Sequence, residues 1–162
     1  MRLLEVRLPS LGNEYASVCT ELNRRLIRTH AKAVVDGYLA GLELPQHPVG
    51  EYEWAIAVGG NSGMLLSVNL TVGDYTLGLF CFFVRAPDEN VGEVYRLLLR
   101  KQLDMYAVKF CLEDDGDIYL KAEVPLSGLT EQELDRILGC FQYYADQTYP
   151  TVLRLGWASQ IR

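Results

Sequence analysis

Hydrophobic and polar positions alternate along the second half of the chain with a regularity that predicts a hairpin followed by a helix. Val108, Phe110 and Leu112 alternate with Lys109, Cys111 and Glu113, and Ile118, Leu120, Ala122 and Val124 alternate with Tyr119, Lys121 and Glu123. A period of two is that of strands with one buried face. Beyond the turn Leu126-Ser127-Gly128 the period changes. Leu134, Ile137, Leu138, Phe141, Ala145 and Thr148 fall on one helical face that ends at Tyr149-Pro150. Thr130 and Glu133 stand in the order of a capping box, and Leu129 and Leu134 are placed for a hydrophobic staple, so the helix start is well marked. Such a helix needs a sheet to lie on, and the hairpin before it supplies one.

Upstream, Ser10 or Asn13 can cap a first helix whose apolar positions Tyr15, Val18, Leu22, Leu26 and Ala33 keep helical spacing and are expected to face the sheet. Arg24, Arg28 and Lys32, with Arg25 beside them, then fall on the opposite side. They read either as a strip for an acidic partner or nucleic acid, or as an ordinary solvated helix face, which is the commoner origin of that spacing. From Ala33 to Leu44 the pattern does not decide, because Ala33, Val34 and Val35 extend the helix while Gly37 and Gly41 interrupt it. Pro45, His47, Pro48 and Gly50 read as a connecting loop.

Three strands follow. Trp54–Val58 is short, Gly59–Gly63 is its loop, and Met64–Val72 places Leu66, Val68, Leu70 and Val72 inward. Gly73-Asp74 closes a tight hairpin to Tyr75–Val84. That third strand is apolar on both faces around Leu79, Phe80, Cys81, Phe82 and Phe83. It is therefore central and covered on both sides, or else its outward side, with Phe80 and Phe82, is a docking surface for a partner. Pro87 suits the first turn of a second helix, with Asp88 and Glu89 at its positive end and Arg100 and Lys101 at its negative end. Val91, Val94, Tyr95 and Leu98 make its main face and Leu97 and Leu99 widen it, which nominates the first four as a dimer contact. The expected architecture is α+β, an antiparallel sheet of about five strands with helices packed on it, in the order α-β-β-β-α-β-β-α.

A chain of 162 residues with 49% hydrophobic and 22% charged residues fits one globular domain with a real core. A net charge of −6 argues against unassisted binding to duplex nucleic acid. Cys19, Cys81, Cys111 and Cys140 are scattered without a Cys-x-x-Cys pair, and only His30 and His47 accompany them, so reduced thiols in a cytoplasmic protein are expected rather than zinc. The apolar part of Met1–Glu5 is too short for a signal peptide, and the longest apolar run, Leu77–Val84, is far below a membrane span, so neither export nor a membrane partner is expected.

Motifs of chemistry are weak. Glu113-Asp114-Asp115-Gly116-Asp117 resembles a calcium loop in composition, but with Gly116 at the sixth position the first and twelfth fall on Cys111 and Ala122. A hairpin turn with Gly116 at positive φ is the better reading. Gly59–Gly63 lacks the Lys-Ser/Thr of a phosphate cradle, and Ser62 is not in a nucleophile elbow because the residue two after it is Met64. No catalytic residue, metal ligand or cofactor site emerges, and a non-enzymatic protein is expected.

The order of elements, together with Leu97-Leu98-Leu99-Arg100, Lys109-Phe110, Glu113-Asp114-Asp115-Gly116-Asp117-Ile118, Ala122-Glu123-Val124-Pro125-Leu126 and Gly128-Leu129-Thr130-Glu131-Gln132-Glu133-Leu134, resembles the YbjN family of bacterial proteins. The likeness is densest from residue 87 to 150. It implies a fold similar to the type III secretion chaperones and a cytoplasmic, dimeric module that binds another protein, in a family described as regulators of sensory transduction or stress responses. It carries over no catalytic residue. The alternative is an accessory protein associated with single-stranded DNA through Arg24, Arg25, Arg28 and Lys32, and last comes a small-ligand binder or enzyme.

Overall fold

The computed structural model describes residues 13–42, 46–60 and 63–160, and the side chains of all of these but 13–19 and 46. A long helix α1 (Asn13–Ala40) precedes strands β1 (Gln46–Gly50), β2 (Glu53–Gly59), β3 (Leu65–Val72) and β4 (Thr76–Val84). Helix α2 (Val91–Lys101) and a short 3-10 turn lead to β5 (Lys109–Leu112) and β6 (Ile118–Pro125), and helix α3 (Glu131–Gly156) follows. The strands form one antiparallel sheet in the order β1-β2-β3-β4-β6-β5. The chain is thus α+β, with β6 returning between β4 and the edge strand β5.

One sheet face is the core. Ile56, Val58, Leu66, Val68, Leu70, Leu77, Leu79, Cys81, Leu120 and Ala122 are buried, and α1 and α3 close over them with Ala31, Val35, Leu39, Leu134, Ile137, Phe141 and Ala145. The period of two in β3 is complete, since every second residue from Leu66 to Val72 is buried. In α3 the buried positions Leu134, Ile137, Leu138, Phe141, Ala145 and Thr148 are those the spacing predicts. Thr130 caps the helix by accepting the Glu133 N–H at 3.1 Å. The Glu133 carboxylate turns instead to Arg136, 3.0 Å away.

Four expectations are corrected. The connector after α1 contains a sixth strand, because His47 and Pro48 pair with Ala55 and Trp54 of β2, and an edge strand tolerates a proline that cannot donate. Pro150 lies inside α3 rather than ending it, since Val152, Gly156 and Trp157 beyond it are buried and hold the helix to the core. Helix α2 starts at Val91, not Pro87. The N–H groups of Asp88 and Glu89 are both committed to the Gly156 carbonyl at 3.1 Å, and Asn90, in the left-handed region at φ 52°, turns the chain into the helix. The turn between β3 and β4 is centred on Asp74 and Tyr75, with Gly73 N–H and the Thr76 carbonyl bonded at 2.9 Å.

The buried face of α1 also differs from the expected one, and the helix runs uninterrupted through Gly37. Ala31, Val35 and Leu39 face the sheet, whereas Leu22 and Leu26 are exposed, at 55% and 69%. Tyr15, Val18 and the caps Ser10 and Asn13 lie outside the described side chains. Gly37 has a local reason: a Cβ there would stand 2.9 Å from Glu131 Oε1, so the glycine lets the start of α3 approach α1.

Candidate functional site

The cations of α1 lie over the aromatic side of the core. Arg28 stacks on Tyr52 with its guanidinium 4.3 Å from the ring centre and donates to the Val72 carbonyl at 3.4 Å. Arg24 donates to Tyr75 Oη at 3.1 Å, and Lys32 stands over Trp54, 5.6 Å from the ring. Trp54 in turn donates its indole N–H to Asp36 at 3.0 Å, and Asp36 also receives Lys32. Arg25 points to solvent beside Glu21, 3.3 Å away. Of the candidate strip, Arg24, Arg28 and Lys32 are thus engaged with residues beyond α1 or with its own Asp36, and Arg25 points outward. Three of the four set their charged heads over aromatic rings, a cation–π contact.

The α2 residues named from periodicity are also divided. Val94 and Leu98 are buried in the protomer's own core, so they are not free for a dimer contact, while Tyr95 is half-buried and Val91 exposed. The outward apolar row is Leu99 and Leu103, one turn apart, at 66% and 85% exposure. Between α2 and β5 runs an apolar groove of about 190 Å³, lined by Tyr95, Leu99, Phe110, Leu112 and Ile118 among others. Gln102 accepts the Phe110 N–H at 2.9 Å and so occupies part of the sheet's free edge. Arg96 and Arg100 lie exposed on α2, and Glu113, Asp114 and Asp115 lie exposed at the far end of β5. Leu103 and Leu112 escaped the sequence reading. The signal for Leu103 was its spacing of four from Leu99, and Leu112 was assigned to the buried face.

Among the described residues no helix covers the other face of the sheet. There Phe82 is 48% exposed, Phe80 is half-buried, and Tyr119 from β6 joins them. The Phe80 and Tyr119 rings stack at 4.5 Å, and Phe82 meets Tyr119 edge-on at 5.4 Å. This arrangement depends on Phe82 pairing with Tyr119 and Phe80 with Lys121 across β4 and β6. Lys121 is engaged with Glu123 at 2.9 Å, and Lys109 stands on the neighbouring strand. The two-sided apolar strand is thus covered on one side and bears an aromatic cluster on the other.

Little of this is reactive chemistry. Burial pushes the Cys81 thiol up to about 12, and burial also raises Cys111 and Cys140, so none is a poised nucleophile at neutral pH. Among the described residues no group of three or more His, Cys, Asp or Glu side chains could hold a metal ion. The acidic run is a turn: Gly116 has φ +87°, Asp115 accepts the Asp117 N–H at 2.9 Å, and Asp117 accepts the Ala86 N–H at 2.7 Å. Among the described residues no helix is long and apolar enough to cross a membrane.

Residues 31–154 match the profile of the YbjN family, described as "Putative bacterial sensory transduction regulator". An uncharacterized protein of Mycobacterium tuberculosis is 35% identical over 107 residues, which are 66% of this chain and 58% of that protein. The chain thus spans less than two thirds of that relative. An uncharacterized protein of Mycobacterium leprae is 29% identical over 138 residues, 82% of this chain and 75% of that protein. Among solved structures, a chain of the HopA1–SchA chaperone–effector complex superposes with a TM-score of 0.55 at 13% identity, over 75% of this chain and 94% of that one. A chain of the heterodimeric ExoU–SpcU complex of the type III secretion system of Pseudomonas aeruginosa gives 0.54 at 18% identity, over 72% and 95%. These likenesses establish the type III secretion chaperone fold.

Proposed function

Because the chain belongs to the YbjN family, we propose that it is a non-enzymatic binding module, an adaptor- or chaperone-like regulator of the cytoplasm that acts as a homodimer on another protein in a sensory or stress-response circuit. The observation that carries this reading is the exposed apolar surface of α2 and β5, with Leu99 and Leu112 lining a groove that the protomer leaves open and Leu103 exposed one turn beyond Leu99. Exposed apolar surface of that kind is characteristic of protein interfaces. A two-fold contact there sets the exposed Arg96 and Arg100 of one protomer against the acidic turn Glu113–Asp115 of its partner, so the rim is self-complementary in charge. The solved chains of the same fold come from complexes of a chaperone with its effector and of ExoU with SpcU, and a protein client on the exposed sheet face around Phe80, Phe82 and Tyr119 carries that behaviour to this chain.

Light scattering on the purified chain tests the dimer. A mass twice the 18.3 kDa of the chain is expected, falling to that of a monomer for Leu99→Glu/Leu103→Glu with its circular dichroism unchanged. A wild-type mass of 18.3 kDa at every concentration refutes the dimer. Affinity capture from the parent cell lysate, with nuclease and at high salt, tests the client. A specific protein retained in both treatments and lost with Phe82→Glu supports it, whereas recovery that depends on nucleic acid refutes it.

A further inference from the structure

The sheet comes apart at one place. β3 pairs with β4 only from Val72↔Leu77 to Val68↔Cys81, although both strands continue. Leu65, Leu66 and Ser67 stay with β2 through Gly59, Val58 and Ala57, while Phe82 and Val84 stay with β6 through Tyr119 and Ile118. On its β3 side, the last stretch of β4 has no strand neighbour among the described residues. A cleft of about 480 Å³ opens along this stretch. It is lined by Phe82, Phe83, Val84 and Arg85 on one wall and by Tyr149, Leu153 and Trp157 of the α3 end on the other.

The α3 wall is held in place by the chain around it. Arg85 binds Asp88 through two contacts of 2.8 and 2.7 Å and lies over the Trp157 ring at 5.2 Å. Gln160 donates to Asp88 at 2.7 Å, and the Ser159 hydroxyl and N–H both donate to Glu89, at 2.6 and 2.8 Å. The Arg85 charge is matched by Asp88, which leaves a neutral, largely aromatic cleft beside a strand edge that no strand among the described residues covers.

We infer that this cleft takes an extended, uncharged segment of a partner polypeptide, which pairs with β4 over Phe82–Arg85 and buries a bulky apolar side chain between Phe83 and Leu153. The open strand edge selects the occupant. It is satisfied by N–H and C=O groups repeating at strand spacing, which an extended peptide supplies and a compact small molecule does not. A second copy of this chain is a poor donor. Of its own sheet edges, β1 carries Pro48 in its pairing register and β5 has four residues with Phe110 already bonded to Gln102. The inference rests on the reading of the protein as a binding module and gives its client a conformation and a place away from the α2 and β5 groove.

The probe is a random library of displayed dodecapeptides selected on the full-length protein, followed by amide hydrogen exchange with the recovered peptides. Peptides with alternating bulky apolar residues are expected, slowing exchange of the Phe82–Arg85 amides at least 10-fold. The same peptides N-methylated at alternate backbone positions should bind at least 10-fold more weakly. Leu153→Arg should abolish binding. If that variant fails to fold, Phe82→Ala on the exposed side should weaken binding by less than the N-methylation does. Protection that maps instead to Phe110–Leu112, or to the open face without Phe82–Arg85, overturns the cleft and leaves the binding-module reading standing. Recovery of no peptide overturns the cleft, and the lysate capture above judges the wider reading separately.

Discussion

The orientation of α1 gives a sharp test, because two helical stripes on it compete for the sheet. Leu39 is 2% exposed and lies in the core with Val35 and Ala31, whereas Leu26 is 69% exposed. Truncating Leu39 to alanine removes buried methyl groups and leaves a cavity, at a cost of roughly 2 to 5 kcal/mol. Truncating Leu26 removes surface that already meets water, and a change within about 0.5 kcal/mol is expected. For a chain of this length each kcal/mol moves the melting temperature by roughly 2 to 4 °C, so a 3 kcal/mol loss lowers it by about 6 to 12 °C. Urea unfolding followed by circular dichroism separates the two variants, provided the m-value is unchanged. The work should be repeated at several protein concentrations, because a Leu26 engaged with a partner would reveal itself as a concentration-dependent loss. A near-neutral Leu39→Ala beside a costly Leu26→Ala at low concentration would refute this orientation and restore the face suggested by periodicity.

Three further outcomes are expected. Thr130→Ala loses the bond from Glu133 N–H and should cost about 1 kcal/mol by urea unfolding, while Thr130→Asn should retain most of it. Arg28→Ala should cost about 1 kcal/mol through the lost contact with Tyr52, whereas the solvent-exposed Arg25→Ala should be neutral, and equal effects would contradict the packing described. The contacts from Arg85 and Gln160 hold Asp88 below its ordinary 3.8, and Ser159 holds Glu89 below its ordinary 4.5. Their folded values lie under the unfolded ones, so this stabilisation is present above the ordinary range and is lost as the pH falls through the lowered values. The protection of the Trp157–Gln160 amides, taken against the exchange of an unstructured chain at the same pH, should therefore fall below about pH 4 and stay constant from pH 6 to 8, and a loss of protection near neutrality would contradict the assignment.

The sequence by itself determined the elements whose stability is local or whose period is unambiguous. The α3 face was legible because Thr130 marks its start and one apolar stripe, Leu134 to Thr148, has no rival. The β3 and β6 alternations were legible because each strand has one polar face. Helix α1 was not, since Leu22 and Leu26 compete with Ala31, Val35 and Leu39, and the winning face includes arginines whose guanidinium groups lie over Tyr52 and Tyr75. Hydrophobic spacing counts an arginine as polar, whereas packing uses its methylenes and its guanidinium plane. β1 was invisible because its strand character comes from pairing with β2, not from its own proline-bearing residues.

The candidate surfaces depend still more on tertiary structure. Phe80 and Phe82 could be named from one apolar strand, but only the return of β6 beside β4 brings Tyr119 to them. The parting of β3 from β4 is a property of which neighbour each strand keeps, settled by pairings between residues far apart in the chain. Local spacing reports which residues prefer to be buried. Which of several competing faces is buried, and which strand edge is left open, is decided by the neighbours that the whole fold provides.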